Sequence, residues 1–165
     1  MDEEKKNVVM LGKDTISASL AECFIRIGER RYNFMQAIKV EAKFEKSKKE
    51  VPILGRPGKG NKATGWKGAG SATFHYNTSI FRQMMLDYKN TGRDTYFEMQ
   101  ITNEDKGSDA GRQTIILMDC NIDGGILAKF DADGEYLDED MDFTFEDFSM
   151  PESFKNLAGF EEEGQ

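Results

Sequence analysis

Side chains able to act as a nucleophile, a general base or a zinc ligand are few in this sequence. It contains one histidine, His75, and two cysteines, Cys23 and Cys120. A hydrolase triad needs a base beside its nucleophile, and a closed zinc site needs four ligands. His75 lies in an alternating run typical of a strand, and Cys23 lies in an apolar stretch typical of a core residue. The sequence therefore predicts a protein without a catalytic site, a bound metal or a cofactor.

Two motifs resemble loops that bind ions or nucleotides. Asp119–Gly124 matches the opening of an EF-hand calcium loop, but Phe130 occupies the twelfth position, where a bidentate glutamate is required. Gly55–Lys62 is rich in glycine and basic residues, but it lacks the Lys-Ser/Thr ending and the following helix of a P-loop. We interpret the first motif as a β-turn and the second as a loop. Trp66 is interpreted as a packing anchor rather than a stacking platform for nucleic acid.

Charge is distributed unevenly along the chain. The formal net charge of −8 disfavours general binding to nucleic acid, whose phosphates attract Lys and Arg. Residues 43–67 contain eight Lys or Arg against two Glu, whereas residues 119–165 contain fifteen Asp or Glu against two Lys. Opposite charges on one chain attract copies of that chain to one another, although two unrelated solvated surfaces would show the same pattern.

Composition places the chain among soluble globular proteins. Hydrophobic residues make up 38% and charged residues 32% of the sequence, and twelve Phe can fill a core. No apolar run reaches the roughly 18 residues that a membrane span needs, and the polar N-terminus does not resemble a secretory signal. Two distant cysteines are not a disulfide framework, so we expect synthesis in a reducing compartment.

Hydrophobic periodicity predicts one domain at 19–160, between an N-terminal arm at 1–18 and a flexible tail at 161–165. A short strand at 24–27 leads into a turn, and a half-buried strand follows at 38–44. Residues 45–70 contain six glycines and two prolines, which indicates a long basic loop or a strongly bent ribbon. Further strands are predicted at 72–76, 95–102, 115–118, 126–130 and 142–146, with turns at 123–124 and 133–134.

One helix is predicted at about 78–90. Asn77 or Thr78 can cap its start, and Gly92 can end it in the left-handed conformation. Its apolar stripe, which we expect to face a sheet, consists of Phe81, Met84, Met85 and Tyr88. These elements predict a mainly β fold, with two packed β-sheets in a barrel or sandwich and one flanking α-helix.

An ordered set of segments resembles the tail tube proteins of PBSX-type prophages. The first is Lys62–Gly70, and the second is Phe81–Tyr88, which continues through Thr95–Phe97 and Gln100–Asp105. Two more follow in the same order, at Ala110–Thr114 and Asp142–Asp147. The resemblance extends from about residue 15 to residue 158 and therefore covers the whole domain. None of these segments is catalytic.

The resemblance implies a structural role. In this family two packed β-sheets with a flanking helix form a fold similar to the ring protein of type VI secretion. Six subunits join their sheets into a ring around a β-barrel lumen, and rings stack into a tube inside a contractile sheath. The implied partners are further copies of the chain and sheath, tape measure and baseplate proteins. DNA is implied only as transient lumen cargo in a true phage.

The same resemblance implies assembly in the bacterial cytoplasm and a final location in a phage tail or a tail-like bacteriocin particle. The long basic loop is the element that would reach neighbouring subunits, through Lys46, Lys48, Lys49, Arg56, Lys59, Lys62 and Lys67. The candidates for an acidic stacking or lumen surface are Asp131, Asp133, Asp138, Glu139, Asp140, Asp142 and Glu146. A negative lumen would repel phosphates and keep DNA from adhering.

Two alternatives remain open at the level of sequence. A type VI-like secreted ring would share the fold but carry effectors. A soluble β-barrel binding a small ligand in its interior would share the strand pattern but remain a monomer.

Overall fold

A computed structural model describes residues 9–161 of the chain, and these contain eight strands and one α-helix. A single 3₁₀ turn, Gly12–Asp14, precedes the first strand. The strands and the helix, in chain order, are β1 (Ala21–Ile27), β2 (Arg30–Asn33), β3 (Ala37–Val51), β4 (Gly60–His75), α1 (Ile80–Thr91), β5 (Phe97–Glu104), β6 (Arg112–Gly124), β7 (Asp138–Phe145) and β8 (Asp147–Glu152). The predicted mainly β fold is confirmed. No helix within residues 9–161 is long and apolar enough to cross a membrane.

All the strand pairs are antiparallel, and β6 connects two sheets. The first sheet has the order β2-β1-β5-β6-β8, and the second has the order β6-β7-β4-β3. The N-terminal part of β6 pairs with β5 and β8, while its last residues pair with β7. The two sheets therefore share one strand and pack face to face.

A β-bulge at Asp119 allows β6 to serve both sheets. Phe97 faces Cys120 while Met99 faces Leu117, so β6 carries one extra residue at this point. Asp119 has a φ of 52°, in the left-handed region that non-glycine residues seldom adopt. Such bulges bend a strand and increase its twist, which turns the end of β6 toward β7.

Aromatic and apolar side chains fill the space between the sheets. The fully buried residues are Ile25, Phe74, Phe81, Met99, Leu117, Cys120 and Phe143. Phe81 of α1 stacks on Phe74 at 5.2 Å between ring centroids and lies 5.5 Å from Phe34. The helix thus covers one end of the core, as the apolar stripe predicted.

The helix differs from its prediction in detail. It begins at Ile80 rather than 78, and Gly92 ends it with a φ of 71°, as expected. Phe81 and Met84 are buried and Met85 is half-buried, but Tyr88 is 54% exposed. Tyr88 occupies the last turn, which lines an open groove at the end of β6 instead of packing on a sheet.

Of the two predictions for residues 45–70, the long loop is wrong for most of that range, and the structure shows a two-stranded ribbon. Strand β3 continues to Val51 and β4 begins at Gly60, so only residues 52–59 form a turn. Four of the six glycines lie within β4, and at two of these positions aromatic rings occupy the space where a side chain would be. A Cβ at Gly68 would lie 2.3 Å from Phe145, and one at Gly70 would lie 2.5 Å from Phe143.

Two further predictions failed near the C-terminus. The expected turn at 123–124 is the end of β6, and the expected strand at 126–130 is part of an irregular loop. The exposed side chains of Leu127 and Phe130 show that the apolar alternation there has no sheet to pack on. Strand β8 was not predicted, because Asp147–Glu152 alternates weakly and its pairing within residues 9–161 is with β6, which is distant in the chain. The tail was predicted at 161–165, of which 162–165 lies outside the described residues.

The glycines of β4 predict a selective effect of added methyl groups. Gly68→Ala places a carbon against the buried ring of Phe145 and should destabilise the fold by about 1–3 kcal/mol, as overpacking does. Gly65→Ala is the matched control, because nothing lies within 4 Å of a Cβ there. Urea unfolding measures both variants. Equal free energies of unfolding for the two variants would show that contact with Phe145 does not require a glycine at position 68.

Candidate assembly surfaces

Strand β3 is exposed along most of its length. Its fifteen residues are exposed or half-buried throughout, and within residues 9–161 they pair with β4 alone. Unpaired strand edges offer backbone donors and acceptors to another chain. The half-buried strand predicted at 38–44 is thus an edge strand, and Ile38 and Phe44 are 47% and 45% exposed.

A second edge, in the first sheet, is formed by β8. A network of hydrogen bonds and an ion pair joins this strand to β6. Thr114 and the Arg112 guanidinium both donate hydrogen bonds to Glu152 Oε2 at 2.8 Å, and the buried hydroxyls of Thr102 and Thr114 lie 3.1 Å apart. The hydrogen bond from Thr114, aided by the Arg112 charge, lowers the pKa of Glu152 below its ordinary value.

A two-stranded ribbon projects from the second sheet. We define the ribbon as residues 45–67, because β4 pairs with β7 only from Gly68 onward. Its base is fixed by a stack of Phe44 on Trp66 at 4.8 Å and by Phe148, 5.9 Å from Trp66. Trp66 is therefore a packing residue, as predicted. Beyond this aromatic base, the strands of the ribbon contact mainly each other.

The predicted basic residues all lie on the ribbon. Lys59 and Lys67 form exposed ion pairs with Glu50 and Glu45, at 3.7 and 3.5 Å. Lys49 lies directly opposite Lys62, and like charges facing each other across two strands are destabilising. The tip of the ribbon, which we define as residues 52–59, also carries two apolar side chains, Ile53 and Leu54, and Leu54 is fully exposed. Hydrophobic periodicity could not identify these two residues as a surface, because residues in a turn do not alternate between a buried and an exposed face.

The predicted acidic residues other than Glu139 divide into three groups. Asp138, Asp140 and Asp142 alternate along the outer face of β7, opposite His75, Thr73 and Ser71 of β4, and Asp138 pairs with Lys129 at 3.1 Å. The Thr73 hydroxyl donates a hydrogen bond to Asp140 at 2.8 Å. Glu146 is exposed between β7 and β8. Asp131 and Asp133 lie in the irregular loop.

Glu139 does not belong to an exposed acidic surface, which corrects the prediction. It is 3% exposed and faces the interior, because β7 alternates and its neighbours Asp138 and Asp140 face outward. Arg82 of α1 pairs with it at 3.1 Å. The same guanidinium donates to the Ile126 carbonyl at 3.3 Å and to the Thr78 carbonyl, and it lies 4.2 Å from the Tyr76 ring. This buried pair therefore ties the helix, β7 and the loop after β6 together.

Residues 125–137, which we call the acidic loop, present apolar and acidic side chains together. Leu127, Phe130 and Tyr136 are 69%, 86% and 66% exposed. The acidic side chains Asp131, Asp133 and Glu135 lie between Phe130 and Tyr136 in the chain, and none forms an ion pair within residues 9–161. The loop is held by backbone and side-chain contacts to His75 and Tyr76 at the end of β4.

The basic and acidic groups are thus far apart in one molecule. The tip adjoins Gly60, at the start of β4, and the acidic loop contacts the other end of that strand at His75 and Tyr76. Sequence reasoning had assigned Phe130 to a strand and had not singled out Leu127 or Tyr136. The turn residues Asp133-Gly134 beside them were the available signal for a loop. Within residues 9–161, no group of three His, Cys, Asp or Glu side chains is placed to hold a metal ion.

The chain thus combines two packed antiparallel sheets with a shared strand, one flanking helix and a projecting ribbon. Residues 8–152 match the family described as phage tail tube protein. The chain is 44% identical over 116 residues to the phage-like element PBSX protein XkdM of Bacillus subtilis (strain 168), which covers 70% of this chain and 79% of that one. The chain belongs to the phage tail tube protein family.

Solved structures with little sequence similarity share the fold. The SPP1 tail tube has a TM-score of 0.56 at 8% identity, covering 95% of this chain and 91% of that one. A chain of the PVC sheath/tube terminator, from an extracellular contractile injection system, has a TM-score of 0.58 at 10% identity, covering 82% and 96%.

The buried pair of Arg82 and Glu139 predicts a large loss of stability when one partner is removed. Arg82→Ala leaves a buried carboxylate without its cation and should cost about 3–5 kcal/mol in urea unfolding. The double variant R82M/E139M removes both charges at similar volume and should be more stable than R82A. A double variant no better than R82A would refute the idea that the uncompensated carboxylate causes the loss.

The lowered pKa of Glu152 predicts a pH dependence of stability. A carboxyl whose folded pKa is depressed stabilises the fold above its unfolded pKa, and this contribution disappears as pH falls through the folded value. Glu152→Gln should therefore reduce stability at neutral pH, and the difference from the parent should shrink below the ordinary value of 4.5. Thermal unfolding at pH 3–7 measures it, with exposed Glu146→Gln as control. A difference that stays constant down to pH 3 would contradict the assignment.

Proposed function

We propose that six copies of this tail tube protein join edge to edge into a ring, and that the rings stack into the inner tube of a contractile tail or tail-like particle. The observation that supports the ring is the long exposed edge of β3, whose backbone has one free side within residues 9–161. Ring closure is the arrangement in which sheets from neighbouring copies satisfy each other's edges.

A second edge is available in the first sheet. Strand β8 ends that sheet, and within residues 9–161 it pairs with β6 alone. The Glu152 network keeps β8 in place against β6, so this edge is a fixed template rather than a fraying strand. Two different edges on one subunit form a heterologous contact, which generates rings when the rotation closes.

Stacking of rings is supported by the separation of charge. The ribbon carries exposed lysines, while the acidic loop and the outer face of β7 carry exposed carboxylates. One exposed ion pair contributes only about 0–1 kcal/mol, but a ring repeats each pair with its symmetry. Such contacts are screened by salt, because the Debye length falls to about 3 Å at 1 M.

The outer face of β7 supports an acidic lumen as part of this proposal. Asp140 and Asp142 lie opposite the small side chains Thr73 and Ser71, while Asp138 lies opposite His75 and pairs with Lys129 at 3.1 Å. A wall that carries the carboxylates of Asp140 and Asp142 is negatively charged, and phosphates passing along it would be repelled. In a particle that carries a genome, DNA would be transient cargo of the lumen.

The remaining parts of the proposal follow from membership of the family. The protein acts by assembly rather than by catalysis, and assembly takes place in the bacterial cytoplasm before the tail is complete. Its partners are further copies of itself together with sheath, tape measure and baseplate proteins.

Electron microscopy of the purified protein tests the proposal. At high protein concentration and low salt, rings or hollow tubes should form, and their yield should fall when the salt is raised to about 1 M, because the axial contacts are electrostatic. Mass measurement on the ring gives the number of copies directly. Monomers alone at every concentration and salt condition would exclude a self-assembling tube.

A further inference from the structure

We infer that the tip of the ribbon of one copy binds the acidic loop of the next copy along the tube axis. This inference rests on the proposed function and assigns the two surfaces that meet between rings. Each surface combines apolar side chains with one sign of charge, and the two signs are opposite.

The tip is an ordered apolar projection with a basic surround. Ile53 packs on Gly60, where an added Cβ would lie 2.8 Å from its Cδ1 atom, and Arg56 N donates to the Ile53 carbonyl at 3.2 Å. Leu54 is left fully exposed at the end of the ribbon. A fully exposed leucine on a fixed turn is an apolar anchor, and its burial in an apolar contact would favour binding.

Two of the lysines near the tip form a pair of like charges, although Lys59 pairs with Glu50. Lys49 and Lys62 oppose each other across the ribbon, and within residues 9–161 neither forms an ion pair. Two like charges in a cross-strand pair are destabilising. An acidic partner placed over this pair would relieve the repulsion, so the ribbon is suited to a carboxylate-bearing surface.

The acidic loop has the complementary composition. Leu127, Phe130 and Tyr136 offer exposed apolar surface, and Asp131, Asp133 and Glu135 offer carboxylates beside it. The outer face of β7 has carboxylates as well, but its neighbours Ala69, Ser71 and Thr73 offer little apolar surface to Leu54. Apolar and charged complementarity together favour the acidic loop as the partner.

The loop is also held firmly enough to act as a docking surface. Tyr76 N donates to the Leu137 carbonyl at 3.0 Å, and the Tyr76 hydroxyl donates to the Leu127 carbonyl at 3.5 Å. The His75 and Tyr136 rings meet edge to face at 5.4 Å, and Arg82 donates to the Ile126 carbonyl. A held loop loses less conformational entropy on binding than a free one.

The two surfaces lie at opposite ends of one strand. The tip precedes Gly60 and the acidic loop contacts His75 and Tyr76, so the sixteen residues of β4 separate them by about 50 Å. They cannot meet within one copy. Between copies the contact joins the head of one subunit to the tail of the next, and a heterologous contact that does not close produces a filament.

A charge exchange within one chain tests the inference. Tube yield is measured by sedimentation and electron microscopy for a ribbon variant, K49E/K62E, a loop variant, D131K/D133K, and the combined variant. Each single-surface variant should lose at least about tenfold in tube yield, and the combined variant should recover most of it, because every contact again joins opposite charges. K89E/K106E, on exposed lysines elsewhere, controls for net charge.

A disulfide experiment tests the contact without altering charge. Leu54→Cys with Phe130→Cys should give a ladder of covalent multimers on oxidation of assembled tubes, because each subunit has both a head and a tail. The native thiols of Cys23 and Cys120 are buried, and burial raises the pKa of each to about 12, so they do not interfere. L54C/F160C, with a cysteine at another exposed position, should give no ladder.

The outcomes separate the inference from the proposed function. If the loop variant forms tubes in the same yield as the parent protein, the inference is overturned, while the proposed tube function is unaffected. A combined variant no better than the single-surface variants, with no ladder from L54C/F130C, would also overturn it. A parent protein that never assembles would overturn both.

Discussion

Backbone donors and acceptors line both sides of a β-strand, and the way this chain satisfies them governs the rest of its structure. Strand β6 bends at Asp119 and pairs with β5, β7 and β8, so one strand joins two sheets around a single core. The consequence is that the sheets do not close on themselves within one copy. Strand β3 remains at the far edge with one side unpaired within residues 9–161. Each subunit therefore has a complete hydrophobic core, but its second sheet ends in a strand edge that is unpaired within residues 9–161.

The long hairpin of β3 and β4 connects the core to the surfaces for assembly. Where β4 crosses the core, glycines admit the rings of Phe143 and Phe145. Where it leaves the core, the Phe44 and Trp66 stack supports the ribbon. One strand therefore carries the basic tip at its start and contacts the acidic loop at its end. The basic tip and the acidic loop therefore lie far apart because the sixteen residues of β4 separate them.

Polar networks hold these surfaces in position. Arg82 and Glu139 join α1, β7 and the acidic loop, and the Thr114, Arg112 and Glu152 contacts hold β8 on β6. The first network is buried, whereas the side chains of Arg112 and Glu152 are about half exposed. The role of both networks is to order the edge and the loop before another copy arrives, which reduces the entropy that association must overcome.

The sequence alone determined the class of fold, the helix, the short strands with clear alternation and the unequal distribution of charge, because these depend on local periodicity and composition. It indicated the family through ordered segments such as Lys62–Gly70. Tertiary structure decided that the glycines of β4 belong to a strand, that Glu139 faces the core, and that residues 126–130 form a loop. The first two outcomes depend on side chains that pack across the core. Phe145 packs against Gly68 and Arg82 pairs with Glu139, and in both cases the two partners are distant in the chain.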